Sequence, residues 1–125
     1  MHDTAMNQTI SVQEVKLLLV TLNDSKLNDE AIIAQLWQEL KGVIEHIAGS
    51  ANSMIVINWK QVKFVSSATQ SMLLGLRRCA DKHRVKIVFC CVHPNILDAL
   101  EITKINEKFE IHVTQEQAIA ALLTP

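Results

Sequence analysis

Phe64-Val65-Ser66-Ser67-Ala68-Thr69-Gln70-Ser71-Met72-Leu73-Leu74-Gly75 is the stretch that organises this chain. A β-branched, apolar run at residues 54–59 precedes it, and Met72, Leu73, Leu76, Cys79 and Ala80 recur at helical spacing within and after it. The pattern predicts a strand, a short loop, and a helix that starts at a pair of serines and runs from about Ser67 to Lys82. Serine is a favoured N-cap because its hydroxyl accepts a hydrogen bond from a free backbone N–H of the first turn. The same free N–H groups, together with the helix dipole, favour negative charge. A serine here is therefore either a plain cap or a place where a phosphate group is carried at tolerable electrostatic cost.

Toward the N-terminus, residues 1–9 are polar and expected to be loose, and residues 10–12 add a short edge strand. Residues 15–22 are rich in leucine and β-branched side chains and predict a strand buried on most of both faces. Asn23-Asp24-Ser25-Lys26 is turn chemistry. Asn28 or Asp29 caps a long helix with Ile33, Leu36, Trp37, Leu40, Val43, Ile44 and Ile47 on its inner face, and residues 49–53 form the loop after it. Asn58, at the end of the next strand, is suited to bonding local backbone. Phe64 and Val65 are expected to pack on the sheet and fix the loop. Gly75, in mid-helix, costs about 1 kcal/mol relative to alanine, a cost expected to be offset by close approach to a neighbouring element, here or in a partner.

Toward the C-terminus, residues 84–86 lead into another buried strand expected at residues 87–92, and His93-Pro94 opens a third helix with Ile96, Leu97 and Leu100 inward. Residues 109–113 alternate and read as a half-exposed edge strand. Thr114 and Gln117 make a capping box for a last helix that carries Ala118, Ile119, Ala121 and Leu122. Strands alternating with helices predict an α/β fold.

The 125 residues, 49% hydrophobic and 20% charged, suit one domain at 10–125 with a core that needs no disulfide or metal. A net charge of -1 argues against binding nucleic acid through a broad positive field. Apolar runs are too short for a bilayer span, no signal peptide is read, and three cysteines without Cys-x-x-Cys spacing predict reduced thiols in a cytoplasmic protein. The histidines, His2, His46, His83, His93 and His112, have no metal-ligand spacing. Neither a glycine-rich phosphate loop nor a Gly-x-Ser-x-Gly elbow occurs. No catalytic residue, metal or cofactor is expected, and an enzyme is the least supported reading.

The central motif, Phe64-Val65-Ser66-Ser67-Ala68 followed by Met72-Leu73-Leu74-Gly75, resembles the signature of the STAS family, the sulphate-transporter and anti-sigma-factor-antagonist domain. The resemblance runs over roughly residues 12–123. It implies a mixed sheet of four to five strands with about four helices packed mainly on one side. In the phosphorylated antagonists of that family, the second residue of the polar pair is the regulatory serine, and that place falls on Ser67. A partner serine kinase or anti-sigma factor is thereby implied: the kinase phosphorylates the serine, the phosphate blocks binding, and a serine phosphatase restores it. Ser66 and Thr69 are fallback acceptors, and Ser66, Ser67, Ala68, Thr69, Gln70 and Arg77 are the candidate partner-binding residues, with Thr69, Gln70 and Arg77 placed on the exposed face of the second helix. Three positions depart from the family pattern: Ser66 stands where Asp is common, Thr69 replaces a usual Gly, and Gln70 replaces an apolar residue. A β-branched threonine does not readily take positive φ, which leaves room for a different loop conformation. The alternative is a domain of the same fold without the phospho-switch, acting as a scaffold or as a small-ligand module for nucleotide binding or lipid transport.

Overall fold

The structure, a computed structural model, describes residues 5–12, 15–49 and 53–123. The chain order is β1 (Ala5–Val12), β2 (Val15–Leu22), β3 (Lys26–Leu27), α1 (Glu30–Ile47), β4 (Ser53–Asn58), β5 (Phe64–Val65), α2 (Ser67–His83), β6 (Lys86–Cys90), α3 (Pro94–Ile102), a 3-10 turn (Ile105–Lys108), β7 (Glu110–His112) and α4 (Gln115–Leu123). A five-stranded sheet has the order β1-β2-β4-β6-β7. β1 is antiparallel to β2 and the other neighbours are parallel, so the sheet is mixed as the resemblance implies.

Strand alternation divides the core into two clusters. Leu18, Val20 and Leu22 of β2, Ile55 and Ile57 of β4, and Ile87 and Phe89 of β6 face one side, where α1, α2 and α3 cover them. Leu17, Leu19, Val56, Val88 and Cys90 face the other, where Ala118 of α4 is buried against them. Burial on both faces explains why these strands read as continuous apolar runs. Three helices lie on one side and the fourth on the other, so the packing is mainly, not wholly, one-sided.

Pairing in β1 begins at Ala5, so residues 5–9, expected to be loose, belong to a full edge strand. Its warrant is backbone hydrogen bonding that occupies the outer edge of β2, which leaves no apolar alternation in the sequence. The first four residues of that expected segment, residues 50–52 of the loop after α1, and His2 lie outside the described residues. The helix starts are as read: Asp29 Oδ1 accepts from the N–H of Ala31 at 2.8 Å, His93 Nδ1 from Asn95 at 3.1 Å, and Thr114 Oγ1 from Gln117 at 3.1 Å. Three features were not legible: the two-residue strands β3 and β5 and the 3-10 turn after α3, which Lys104 enters at φ 61°.

Candidate functional site

The loop before α2 is held from both ends. Asn58 Oδ1 accepts from the N–H of Lys60 at 2.8 Å, as its place at the strand end predicts, and its Nδ2 donates to Gln115 Oε1 at 2.9 Å. Trp59 and Val62 are buried in the main cluster, and the N–H of Val62 closes a turn onto Trp59 O at 2.9 Å. The N–H groups of Lys63 and Phe64 then both donate to Ser25 O, at 2.7 and 3.1 Å. β5 runs parallel to β3, pairing Phe64 with Lys26 and Val65 with Leu27. Because α1 starts three residues after β3 ends and α2 starts two residues after β5 ends, this short ladder sets the two helix N-termini side by side. Their dipoles make the region favourable for negative charge.

The serine pair divides its roles. Ser66 is the N-cap, extended at φ -96° and ψ 172°, and its hydroxyl accepts from the N–H of Thr69 at 3.3 Å. Its own N–H donates to Leu27 O at 3.0 Å. Ser67 is the first residue of α2 and is exposed, and the first turn of the helix holds no carboxylate. The hydroxyl of Ser67 is thus presented to solvent beside free N–H groups, with the capping task taken by its neighbour.

Thr69 corrects the sequence reading. It is 0% exposed, and its hydroxyl donates to Leu27 O at 2.6 Å, so it neither lies on the outer face of α2 nor offers an accessible acceptor for phosphate. The hydroxyl ties α2 to β3, which is a reason for a buried polar side chain to be here. Positive φ occurs at Gly49, Arg84, Cys91 and Lys104 among the described residues and nowhere in residues 60–70, so threonine in place of glycine meets no conformational obstacle.

The remaining candidates are spread around the helix. Ala68 is half-buried toward α1, beside Ile33, Trp37 and Met72. Gln70 is half-buried, and Arg77 is committed inside the chain: its Nε pairs with Asp81 at 3.0 Å and its Nη1 donates to Lys108 O. Arg77 therefore fastens α2 to the 3-10 turn, while its side chain, 43% exposed, remains at the surface. Phe64, expected to pack on the sheet, is 49% exposed beside the serine pair, while Val65 turns into the core. The alternation of a strand accounts for this, since consecutive side chains take opposite faces. Sequence reasoning missed Phe64 as a surface residue and missed the carbonyls of Ser25 and Leu27 altogether, because backbone acceptors leave no residue signature.

Among the described residues no three His, Cys, Asp or Glu side chains stand together as a metal set, and no helix is long and apolar enough to cross a membrane. Cys79, Cys90 and Cys91 are free thiols; burial, then the adjacent Cys91, pushes the Cys90 thiol up to about 12, well away from the range of a reactive cysteine.

Comparison with known proteins bears on this arrangement. The sequence model of the STAS domain matches residues 28–118. Among curated proteins no relative matches the chain. An anti-sigma-factor antagonist (STAS) domain protein from Planctomyces limnophilus has a similar structure, with TM-score 0.74 at 15% identity over 94% of this chain and 98% of that one. The Bacillus cell fate determinant SpoIIAA in its phosphorylated form gives TM-score 0.63 at 17% identity over 94% and 99%. A serine-to-glutamate variant of RsbS from Moorella thermoacetica gives 0.66 at 17% identity over 93% and 93%. At such identities these likenesses are of fold, and the family match, which spans the segment from the α1 cap into α4, carries the assignment: the chain belongs to the STAS domain family.

Proposed function

We propose that this protein is a regulatory binding module of the anti-sigma factor antagonist kind, not an enzyme, and that it binds a serine-kinase or anti-sigma partner through the N-terminal end of α2. Phosphorylation of Ser67 by that kinase switches binding off, and a serine phosphatase restores it. The observation that carries this reading is the division of labour in the serine pair: Ser66 Oγ caps the helix while Ser67, the next residue, is exposed. A phosphate on Ser67 adds roughly -1.5 to -2 charge and a hydrated group in the middle of the contact. The helix N-termini tolerate that charge within the free protein, so the switch needs no refolding. Desolvation and repulsion at the interface suffice. The exposed Phe64 and the half-buried Ala68 flank the serine and belong to the same surface, whereas buried Thr69 supports it from beneath. Setting and action in the bacterial cytoplasm, in control of transcription, are part of this proposal.

The test is the intact mass and phosphopeptide map of the protein isolated from its native cells, followed by kinase-partner binding of Ser67→Asp. A single added phosphate at Ser67 and a loss of affinity of about tenfold or more support the switch. One unmodified mass across growth and stress conditions, with Ser67→Asp binding as wild type, overturns it in favour of a constitutive scaffold or small-ligand module.

A further inference from the structure

α1 and α2 lie side by side on the same face of the sheet and run in the same direction, and a groove follows the seam between them. Its first half is mostly apolar, lined by Ile33, Ala34, Ala68 and Met72 together with Ser71 and Glu30. Its second half is basic, with Lys41, Arg78 and Lys82 against the single carboxylate of Glu45. Trp37 and Gly75 line both halves, so the two adjoin midway along the seam. A Cβ at Gly75 would meet Trp37 Cη2 at 3.8 Å, an ordinary van der Waals contact, so packing within the chain does not demand glycine there. In mid-helix the glycine still costs about 1 kcal/mol relative to alanine. With no side chain of its own, Gly75 leaves the Trp37 indole as the neighbouring side chain where the halves meet.

We propose that this groove receives an amphipathic helix of the protein partner, its apolar stripe over Trp37 and Gly75 and its acidic end over Lys41, Arg78 and Lys82. The inference rests on the reading of the α2 N-terminus as a partner surface and extends that surface along the helix. Charge selects the occupant: a mostly apolar first half followed by three cations against one carboxylate complements a helix with apolar residues at i, i+3 or i+4, and i+7 and carboxylates beyond them. From Ala68 to Lys82 the floor is about 21 Å long at 1.5 Å per residue, enough for roughly four helical turns. Met72, flexible and polarizable, suits a surface that adapts to its ligand.

The full chain is titrated calorimetrically with two synthetic helical peptides of the same leucine pattern, one ending in two turns of glutamate, the other in two turns of lysine. The expected result is that the glutamate peptide binds about tenfold or more tighter than the lysine peptide, that Gly75→Met weakens it about tenfold at unchanged Tm, and that Arg78→Glu with Lys82→Glu reverses the preference. Equal binding of both peptides, or binding indifferent to both sets of variants, overturns the proposal. So does concentration-dependent self-association that Gly75→Met abolishes, which would make a second copy the occupant. Against a serine-kinase partner, loss of binding in Ser67→Asp but not in Gly75→Met overturns the groove and leaves the switch standing; loss in Gly75→Met alone does the reverse.

Discussion

The hydroxyl of Thr69 donates a 2.6 Å hydrogen bond to the carbonyl oxygen of Leu27, joining two residues 42 positions apart beneath the exposed serine of α2. The same oxygen accepts from the N–H of Ser66 at 3.0 Å, so one backbone carbonyl holds both the cap and the first turn of the helix. Thr69→Val keeps the shape and removes the donor. A net loss of about 1 kcal/mol is expected, read as a lower urea midpoint at unchanged slope. Kinase treatment of the folded protein is expected to leave Thr69 unmodified; phosphate mapped to Thr69 would contradict its burial.

The serine pair separates structure from signalling. Ser66→Ala removes the N-cap and is expected to cost about 1 kcal/mol of stability. Ser67→Ala, at an exposed position whose neighbour does the capping, is expected to change stability by less than about 0.5 kcal/mol while abolishing phosphate incorporation. Denaturant titration of the two variants beside phosphate mapping checks both halves; equal destabilisation would show that Ser67 shares the cap.

Phe64 is a large apolar side chain left 49% exposed at the mouth of the proposed surface. Exposed aromatics that become buried on association are frequent anchors of interfaces. Phe64→Ala is expected to leave the thermal midpoint within a few degrees of wild type, yet to weaken binding of a kinase-type partner by about 2 kcal/mol, roughly thirtyfold. A marked drop in Tm would instead place the ring in the folding core.

Glu110 links the two last strands of the sheet. Its Oε2 lies 2.7 Å from His112 Nε2 and its Oε1 3.3 Å from Lys86 Nζ, and the His112 hydrogen bond, followed by Lys86, holds its pKa below the ordinary range. A depressed carboxylate contributes stability above its unfolded pKa, about 4.3, and that contribution disappears as pH falls through the lower folded value. Glu110→Gln is therefore expected to be less stable than wild type near neutrality, with the gap closing toward pH 3 in denaturation midpoints. The partly exposed setting keeps the effect small. A gap that widens on acidification would contradict the pairing.

Legible in the residues alone were the alternation of strands and helices, the apolar runs of β2, β4 and β6, the Thr114 cap, and the start of α1 at Asn28 or Asp29 and of α3 at His93-Pro94, because each is a local matter of periodicity or of a side chain bonding its own backbone within a few residues. The sequence also put a serine at the start of α2. Tertiary structure alone decided which serine caps and which is presented, that Thr69 is inside, that Arg77 is spent on the 3-10 turn, and that Phe64 faces outward. The roles of the two serines, the burial of Thr69 and the outward turn of Phe64 depend on the two-residue ladder between β3 and β5, whose stabilising groups are backbone carbonyls at Ser25 and Leu27, whereas Arg77 depends on the 3-10 turn that brings Lys108 O to it. Backbone acceptors are the same in every residue, so pairing across some forty positions leaves no trace in side-chain pattern, and only the folded chain reveals it.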